Sequence, residues 1–192
     1  GISVGPDGGT HQALEDIALM RVMPNMDDLS PCDAIEAKKV TLALATTKWP
    51  AYLRLVREKT PIITTEETPM EIGKTEIYWM PDVGLAQVGI IATGGLVSHA
   101  LFAAKELEQE GVKTKVMNLS TIKPIDSEAI IALAKEKKYL LGIQKYEVYA
   151  HSRKHEKIKA QSWYQFYTQI KKWEKEFQIP LQVTAKELGI HK

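Results

Sequence analysis

The chain has 192 residues, 44% of them hydrophobic and 26% charged, enough apolar material for a core in one domain or two small ones, so disorder is not its default state. Its 25 Lys and Arg against 24 Asp and Glu leave a formal charge of +1, and no bulk field draws it to nucleic acid or to an anionic bilayer. No apolar run reaches the roughly 18 to 20 residues of a membrane span, the first residues lack an export pattern, and Cys32, the only cysteine, permits no intrachain disulfide; the reading is a reducing compartment, the cytoplasm.

The first residues, Gly1 to Gly5, read as a strand running straight into a turn, Gly5-Pro6-Asp7-Gly8-Gly9, so the chain is expected to begin inside a domain. Thr10 is placed to cap a helix whose apolar face carries Leu14, Ile17, Ala18 and the stem of Arg21, and Pro24-Asn25 ends it. Residues 26–31 form a poor strand, an edge or partly a loop, because Asp27 and Asp28 suit a pleated sheet badly. Asp33 with Glu36 opens a second helix through Ile35, Val40 and Leu44. Trp49-Pro50 stops that helix, and Ala51 to Val56 reads as a buried strand. Residues 61–86, with Pro61, Pro69 and Pro81 and one strand-like stretch at 75–79, suit an interdomain connection.

Beyond the connection the pattern becomes a regular alternation. Val88 to Thr93 is a strand, Gly94-Gly95 a turn, and Val97, Leu101, Ala104 and Leu107 line one face of a helix ending at Gly111. Lys115 to Leu119 is a strand, Asp126 caps a helix through Ile130, Ile131 and Leu133, and Tyr139 to Ile143 is a further strand. A β-α-β-α-β run of this length implies a parallel sheet with helical crossovers. The fold class is therefore α/β: two small three-layer domains with mostly parallel sheets, the second Rossmann-like. From about residue 142 the composition shifts: nine of the 14 aromatic residues lie from Tyr139 to Phe177, and Trp163, Phe166, Tyr167, Ile170, Trp173 and Phe177 fall at the spacing of one amphipathic helix.

The strongest chemical signal is Gly5-Pro6-Asp7-Gly8-Gly9-Thr10-His11-Gln12, where a strand gives way to a helix. Amides at a helix start favour oxyanions and hydroxyls and disfavour a charged imidazole, so His11 is expected to be a neutral donor or acceptor. Asp7, flanked by glycines, is placed to accept a hydrogen bond from a polyol that approaches the turn closely. On the residues alone the plainer alternative stays open: Asp7 stabilises its own turn and His11 packs in the first helical turn. Arg57 likewise reads on pattern alone as a solvated arginine just past a buried strand.

The run GxDGxTHQ, followed by Leu14-Glu15-Asp16-Ile17-Ala18-Leu19-Met20-Arg21, Met23-Pro24-Asn25, Pro31-Cys32-Asp33 and Glu36, resembles the second half of the transketolase pyrimidine-binding domain. The resemblance continues in order through Tyr52-Leu53-Arg54-Leu55-Val56-Arg57, Glu71-Ile72-Gly73-Lys74, Ile91-Ala92-Thr93-Gly94 and Ile122-Lys123-Pro124-Ile125-Asp126, to about Leu141. Deoxyxylulose-phosphate synthases share a similar loop but usually not the following Gln and helix, and the β subunits of 2-oxo-acid dehydrogenases resemble 87–141 but lack the Asp7 to His11 arrangement. Two features depart from the transketolase pattern: Pro6 stands where that family usually has Glu, and Gly142-Ile143-Gln144-Lys145-Tyr146 leads into unlike sequence. A shifted reading frame near Gly142 would produce such a change.

The resemblance implies residues 1–60 as part of the pyrimidine-binding domain, 61–86 as a linker and 87–192 as a transketolase C-terminal domain with an atypical basic, aromatic tail. By resemblance, Asp7 and His11 contact hydroxyls near a ketose carbonyl and help proton movement, and Arg57 binds the distal phosphate of the sugar. No cofactor-binding or metal-ligating residue falls within the chain: thiamine diphosphate and magnesium are bound mainly by residues outside it. The implied partners are sugar-phosphate substrates and an N-terminal transketolase section or subunit, in a homodimer or heterotetramer, with no membrane and no nucleic acid. The implied activity is transfer of a two-carbon ketol unit between sugar phosphates in the pentose phosphate pathway, absent without the cofactor-binding half. The competing expectation is a non-catalytic interaction module using the tail, where His151 to Lys175 holds seven Lys or Arg and two Asp or Glu among aromatics.

Overall fold

The computed structural model describes residues 9–13, 15–57, 59–136, 139–144, 147–152 and 157–160, with Gly9 and the last three segments described by backbone alone. The expected opening strand and turn through Gly8, Leu14 and the aromatic helix of 163–177 lie outside the described residues. The expected first helix is shorter than its apolar pattern. Gly9–His11 forms a separate 3-10 turn, and helix α1 is Asp16–Val22. Thr10 does not cap it: its hydroxyl lies 3.0 Å from Nδ1 of its neighbour His11. Asp16, in the first turn, suits the positive end of the helix dipole. At the other end the Lys123 ammonium donates to the carbonyls of Arg21 and Met23, at 3.0 and 2.6 Å, and so satisfies oxygens that the helix leaves open.

Strand β1, Asp27–Leu29, is a correction to the expectation of an edge or loop. It is the middle strand of a three-stranded sheet, parallel to β2 (Ala51–Leu53) and antiparallel to a strand at Thr121–Lys123. Alternation along β1 sends Asp28 and Leu29 to opposite faces, and both are fully buried. The two aspartates lowered the apparent strand propensity because the face that receives Asp28 is polar. Helix α2, Ala34–Leu44, begins where Asp33 accepts from the Glu36 amide at 2.9 Å.

The second sheet has the order β3-β5-β4-β7-β8-β9. Here β3 is Glu76–Trp79, β4 Val88–Ala92, β5 Thr114–Asn118, β7 Tyr139–Gln144, β8 Glu147–Ser152 and β9 Lys157–Ala160, while β6 is the Thr121–Lys123 strand of the first sheet. Its centre, β5-β4-β7, is parallel, and antiparallel strands flank it on both sides. Helix α3, Leu96–Gln109, packs Val97, Ala100 and Ala104 with Ile90, Ala92 and Val116. On the opposite face α4, Ser127–Glu136, brings Leu133 onto Ile91 and Met117. Ile90 and Ile91 are adjacent in sequence and serve different layers, as strand alternation requires. The result is an α/β arrangement with helices on both sides of a largely parallel centre.

The two sheets are joined by more than the connecting chain. Cys32, in the turn between β1 and α2, is part of the α3 core. The Ser30 amide donates to the Ser120 carbonyl at 2.7 Å, and the Gly94 amide to the Ser30 carbonyl at 3.1 Å. Gly94 has φ +61°, and a Cβ there would stand 2.8 Å from the Ser30 hydroxyl, so both backbone and space call for glycine.

Candidate functional site

Asp7 lies outside the described residues. His11 is exposed on its 3-10 turn, five residues ahead of α1, so the dipole expected to act on it belongs to a helix that starts later. Arg57 is also exposed, past the end of β2, and engages other groups of the fold.

What relates these two segments is a buried cluster that the sequence reading did not single out. Asp16, the first residue of α1, accepts on Oδ2 from Nε of Arg54 at 2.7 Å and from the Tyr52 hydroxyl at 2.9 Å. Both charged side chains are about nine-tenths buried, at 9% and 10% exposure. Burial pushes the Asp16 carboxyl up, and the hydrogen bonds from Arg54 and Tyr52 outweigh it, leaving it below the usual carboxylate range. Burial, with Asp16 beside it, pushes the Tyr52 phenol up to about 12. Arg54 is held in place by its own amide, which donates to the Leu29 carbonyl at 2.8 Å just beyond the last residue of β2. The start of α1 is thereby pinned at the carboxyl end of β2. In parallel sheets that end is where ligands gather.

Beside this pair lies Asp28, fully buried, with neither carboxylate oxygen hydrogen-bonded. Burial and the nearby Asp16 charge raise its carboxyl to about 6, against the pull of Arg54, Arg21 and Lys123. The register aligns Asp28 with Tyr52 on β2 and Lys123 on β6. The face under α1 is thus lined by ionisable groups from three strands.

A second buried network joins the start of α2 to the second sheet. Glu36 accepts from the Cys32 amide at 2.6 Å and from the Asn118 side chain at 2.8 Å, and Asn118 also donates to the Tyr78 hydroxyl at 3.1 Å. Asp33 accepts from the amides of Glu36, Ile63 and Thr64 and from the Thr64 hydroxyl, all within 2.9 Å. Burial pushes Asp33 up, and those donors reverse the shift and hold it low. Burial, followed by the Glu36 charge, raises both the Cys32 thiol and the Tyr78 phenol, so neither is a nucleophile at neutral pH. Among the described residues no group of three or more His, Cys, Asp or Glu is placed to hold a metal ion. No helix among them is long and apolar enough to cross a membrane.

One signal in the sequence pointed to the α1 cluster: Arg54 interrupts an otherwise apolar strand, and a charge in such a run needs a buried partner. Nothing local marked Asp16 as that partner, because the pairing crosses 38 positions.

Residues 1–62 match the transketolase pyrimidine-binding domain and residues 78–146 the transketolase C-terminal domain. A protein of Methanocaldococcus jannaschii described as a transketolase C-terminal section is 39% identical over 150 residues, 77% of this chain and 45% of that one. A 6-deoxy-6-sulfo-D-fructose transketolase subunit of a Clostridium species is 34% identical over 134 residues, covering 70% of this chain and 40% of its own length. Among solved structures, a split-gene transketolase described as an inactive beta4 tetramer superposes with a TM-score of 0.64 at 34% identity, covering 69% of this chain and 43% of that one. The chain thus spans less than half the length of each of these relatives. Two consecutive domain matches, in the family's order and on a fold shared with a solved member, make this chain a member of the transketolase family corresponding to its C-terminal part.

Proposed function

We propose that the chain supplies the substrate side of a thiamine-diphosphate-dependent transketolase and works only with a partner carrying the rest of the cofactor site. In this reading the enzyme moves a two-carbon ketol unit between sugar phosphates. His11 and Asp7 contact hydroxyls beside the ketose carbonyl and move a proton there, and Arg57 holds the distal phosphate, for which a planar, permanently charged fork is well suited. The observation that carries this reading is the pinning of α1 to the carboxyl end of β2 by Asp16 and Arg54. Asp16 lies five residues after His11 and Arg54 three before Arg57, so this contact supports a reading in which the two segments share one end of the sheet.

A pyrimidine-binding domain implies thiamine diphosphate, which supplies the carbanion chemistry when bound. The buried acidic side chains among the described residues are not free to hold it. Both Glu36 oxygens are taken by Cys32 and Asn118, Asp33 is saturated by its donors, and Asp28 is sealed beneath α1. By the family resemblance, and in keeping with the subunit nature of the relatives, we assign the cofactor, with magnesium, mainly to a partner, and place the assembly in the cytoplasm.

The test is reconstitution. The chain is mixed with a cofactor-binding transketolase half, thiamine diphosphate and magnesium, and transfer from a ketose phosphate to an aldose phosphate is followed. His11→Ala is expected to lower kcat on the order of 10²-fold. Arg57→Ala is expected to raise KM for the phosphorylated sugar about 10- to 100-fold, the loss of a charge-assisted contact. An active complex indifferent to both changes would remove these residues from the site. A chain that never supports transfer with a folded partner, yet is retained on nucleic acid in a salt-dependent way, would favour the interaction module.

A further inference from the structure

We infer that Asp16 and Arg54 act as a positioning pair, one buried joint from which both substrate-contacting segments hang and which sets the spacing between them. The inference rests on the functional reading above. Asp16 follows His11 by five residues and Arg54 precedes Arg57 by three. From the joint, the chain can reach at most roughly 18 Å to His11 and 11 Å to Arg57. A shift of the joint therefore moves both ends of the substrate site together.

Three observations make the joint rigid. Oδ2 of Asp16 accepts from two donors, the Tyr52 hydroxyl on β2 and the Arg54 guanidinium just past its end. The Arg54 backbone is fixed by its bond to Leu29, on the central strand. Far from the joint, the other end of α1 is tied down by Lys123 from β6, so the helix is held at both ends by charged side chains. Stability alone does not account for an ion pair here. Well-packed apolar residues in place of a buried pair commonly stabilise a fold as well or better, so what such a pair adds is a specified geometry.

Asp16→Leu with Arg54→Met removes both charges at once and leaves neither stranded. The double variant is expected to unfold in urea at a midpoint close to that of the wild type. Hydrogen exchange on the full chain should nevertheless speed up in 9–15 and in 55–57 together, with little change in α3. In the reconstituted complex, kcat/KM for fructose 6-phosphate should fall on the order of 10- to 100-fold, the usual penalty for misplacing a contact by about an ångström. The fall for unphosphorylated fructose should be smaller, because only the phosphorylated sugar spans both segments. Arg54→Lys with Asp16 intact keeps the charge and is expected to recover part of that preference for the phosphate. An active wild type with an unchanged double variant, in exchange and in both sugars, overturns the positioning role. An inactive wild-type complex whose double variant still loosens both segments leaves the joint in place and defeats the functional reading instead.

Discussion

The sheet of β1, β2 and β6 and the sheet centred on β4 and β5 are held against their helices by opposite means. Under α1 the first sheet presents Asp28, Tyr52, Arg54 and Lys123, and the helix answers with Asp16 and its own terminal carbonyls. Under α3 the second presents Ile90, Ala92 and Val116 to Val97, Ala100 and Ala104. An apolar interface tolerates small sliding, since dispersion and water exclusion depend weakly on direction. A buried ion pair does not, because its attraction must offset desolvation and does so only at good geometry. The polar interface lies under the helix that leads from the candidate substrate loop, and the apolar one lies away from it. If the proposed substrate contacts hold, directional contacts lie on the side where position matters to chemistry, and non-directional ones where the fold needs only to be stable.

Breaking one side of the polar joint should produce the largest effect. Arg54→Met leaves the Asp16 carboxylate nine-tenths buried with its guanidinium gone, and removing one partner of a buried pair costs about 3–5 kcal/mol. Urea unfolding at neutral pH should show that loss, while adding Asp16→Leu to Arg54→Met should restore most of it. A single variant that loses less than 1 kcal/mol would mean the pair is solvated in solution and the contrast between the interfaces is false.

The same contrast explains what was legible in the sequence. The α3 and α4 layers could be read from Val88 to Leu133, because an apolar face repeats with the period of its own element and every clue is local. Asp33 and Glu36 marked the start of α2 for the same reason, their spacing being that of a cap. By contrast β1 was misread as an edge, since Asp28 looks like a strand breaker until Arg54, Arg21 and Lys123 are brought round it from distant positions. The strand β6 was missed entirely: Thr121–Lys123 directly follows β5 and leaves for the other sheet, and nothing in three residues announces the change. The first helix was drawn too long because its apolar period runs back through Leu14, whereas the chain starts α1 at the residue that finds Arg54. Polar long-range pairing has no period, so it leaves little trace in sequence.

A smaller effect sharpens the comparison through pH. Asp28 carries a carboxyl raised from the ordinary 3.8 to about 6, by burial and by the Asp16 charge. In that range the folded chain holds a proton that the unfolded chain has released, so stability from this group is present below about 4 and is lost as pH rises through 6. The loss amounts to about 3 kcal/mol at most, at 1.36 kcal/mol per pKa unit. Asp16 and Asp33 are held low, and their contributions disappear only as pH falls below the ordinary aspartate value, outside this window. Urea midpoints between pH 4.5 and 7.5 should therefore decline in the wild type and decline less steeply in Asp28→Asn, where Glu76, also raised by burial, leaves a smaller loss of the same sign. Equal slopes in the two proteins would show that Asp28 does not titrate in this range.

The smallest effect belongs to the apolar interface. Ile90, at 1% exposure, loses one methyl group in Ile90→Val, and its neighbours under α3 can close part of the gap. The expected cost is about 1 kcal/mol, and it should be the same from pH 4.5 to 7.5, because the titratable groups of that core, Cys32 and Tyr78, are pushed up by burial well above this range. Glu36 of α2 bridges to Asn118 of β5, Cys32, just past β1, stands inside the α3 core, and Ser30 bonds to Ser120 and Gly94, so the sheets are expected to unfold in one transition. In that case the pH-dependent decline due to Asp28 carries over unaltered into Ile90→Val, since free energies at sites without common partners add. If the decline instead vanished while the protein still unfolded at a lower midpoint, the two sheets would be separate cooperative units. The polar joint would then report only on its own, and a loosened α1 could release the candidate substrate segments without disturbing the α3 core.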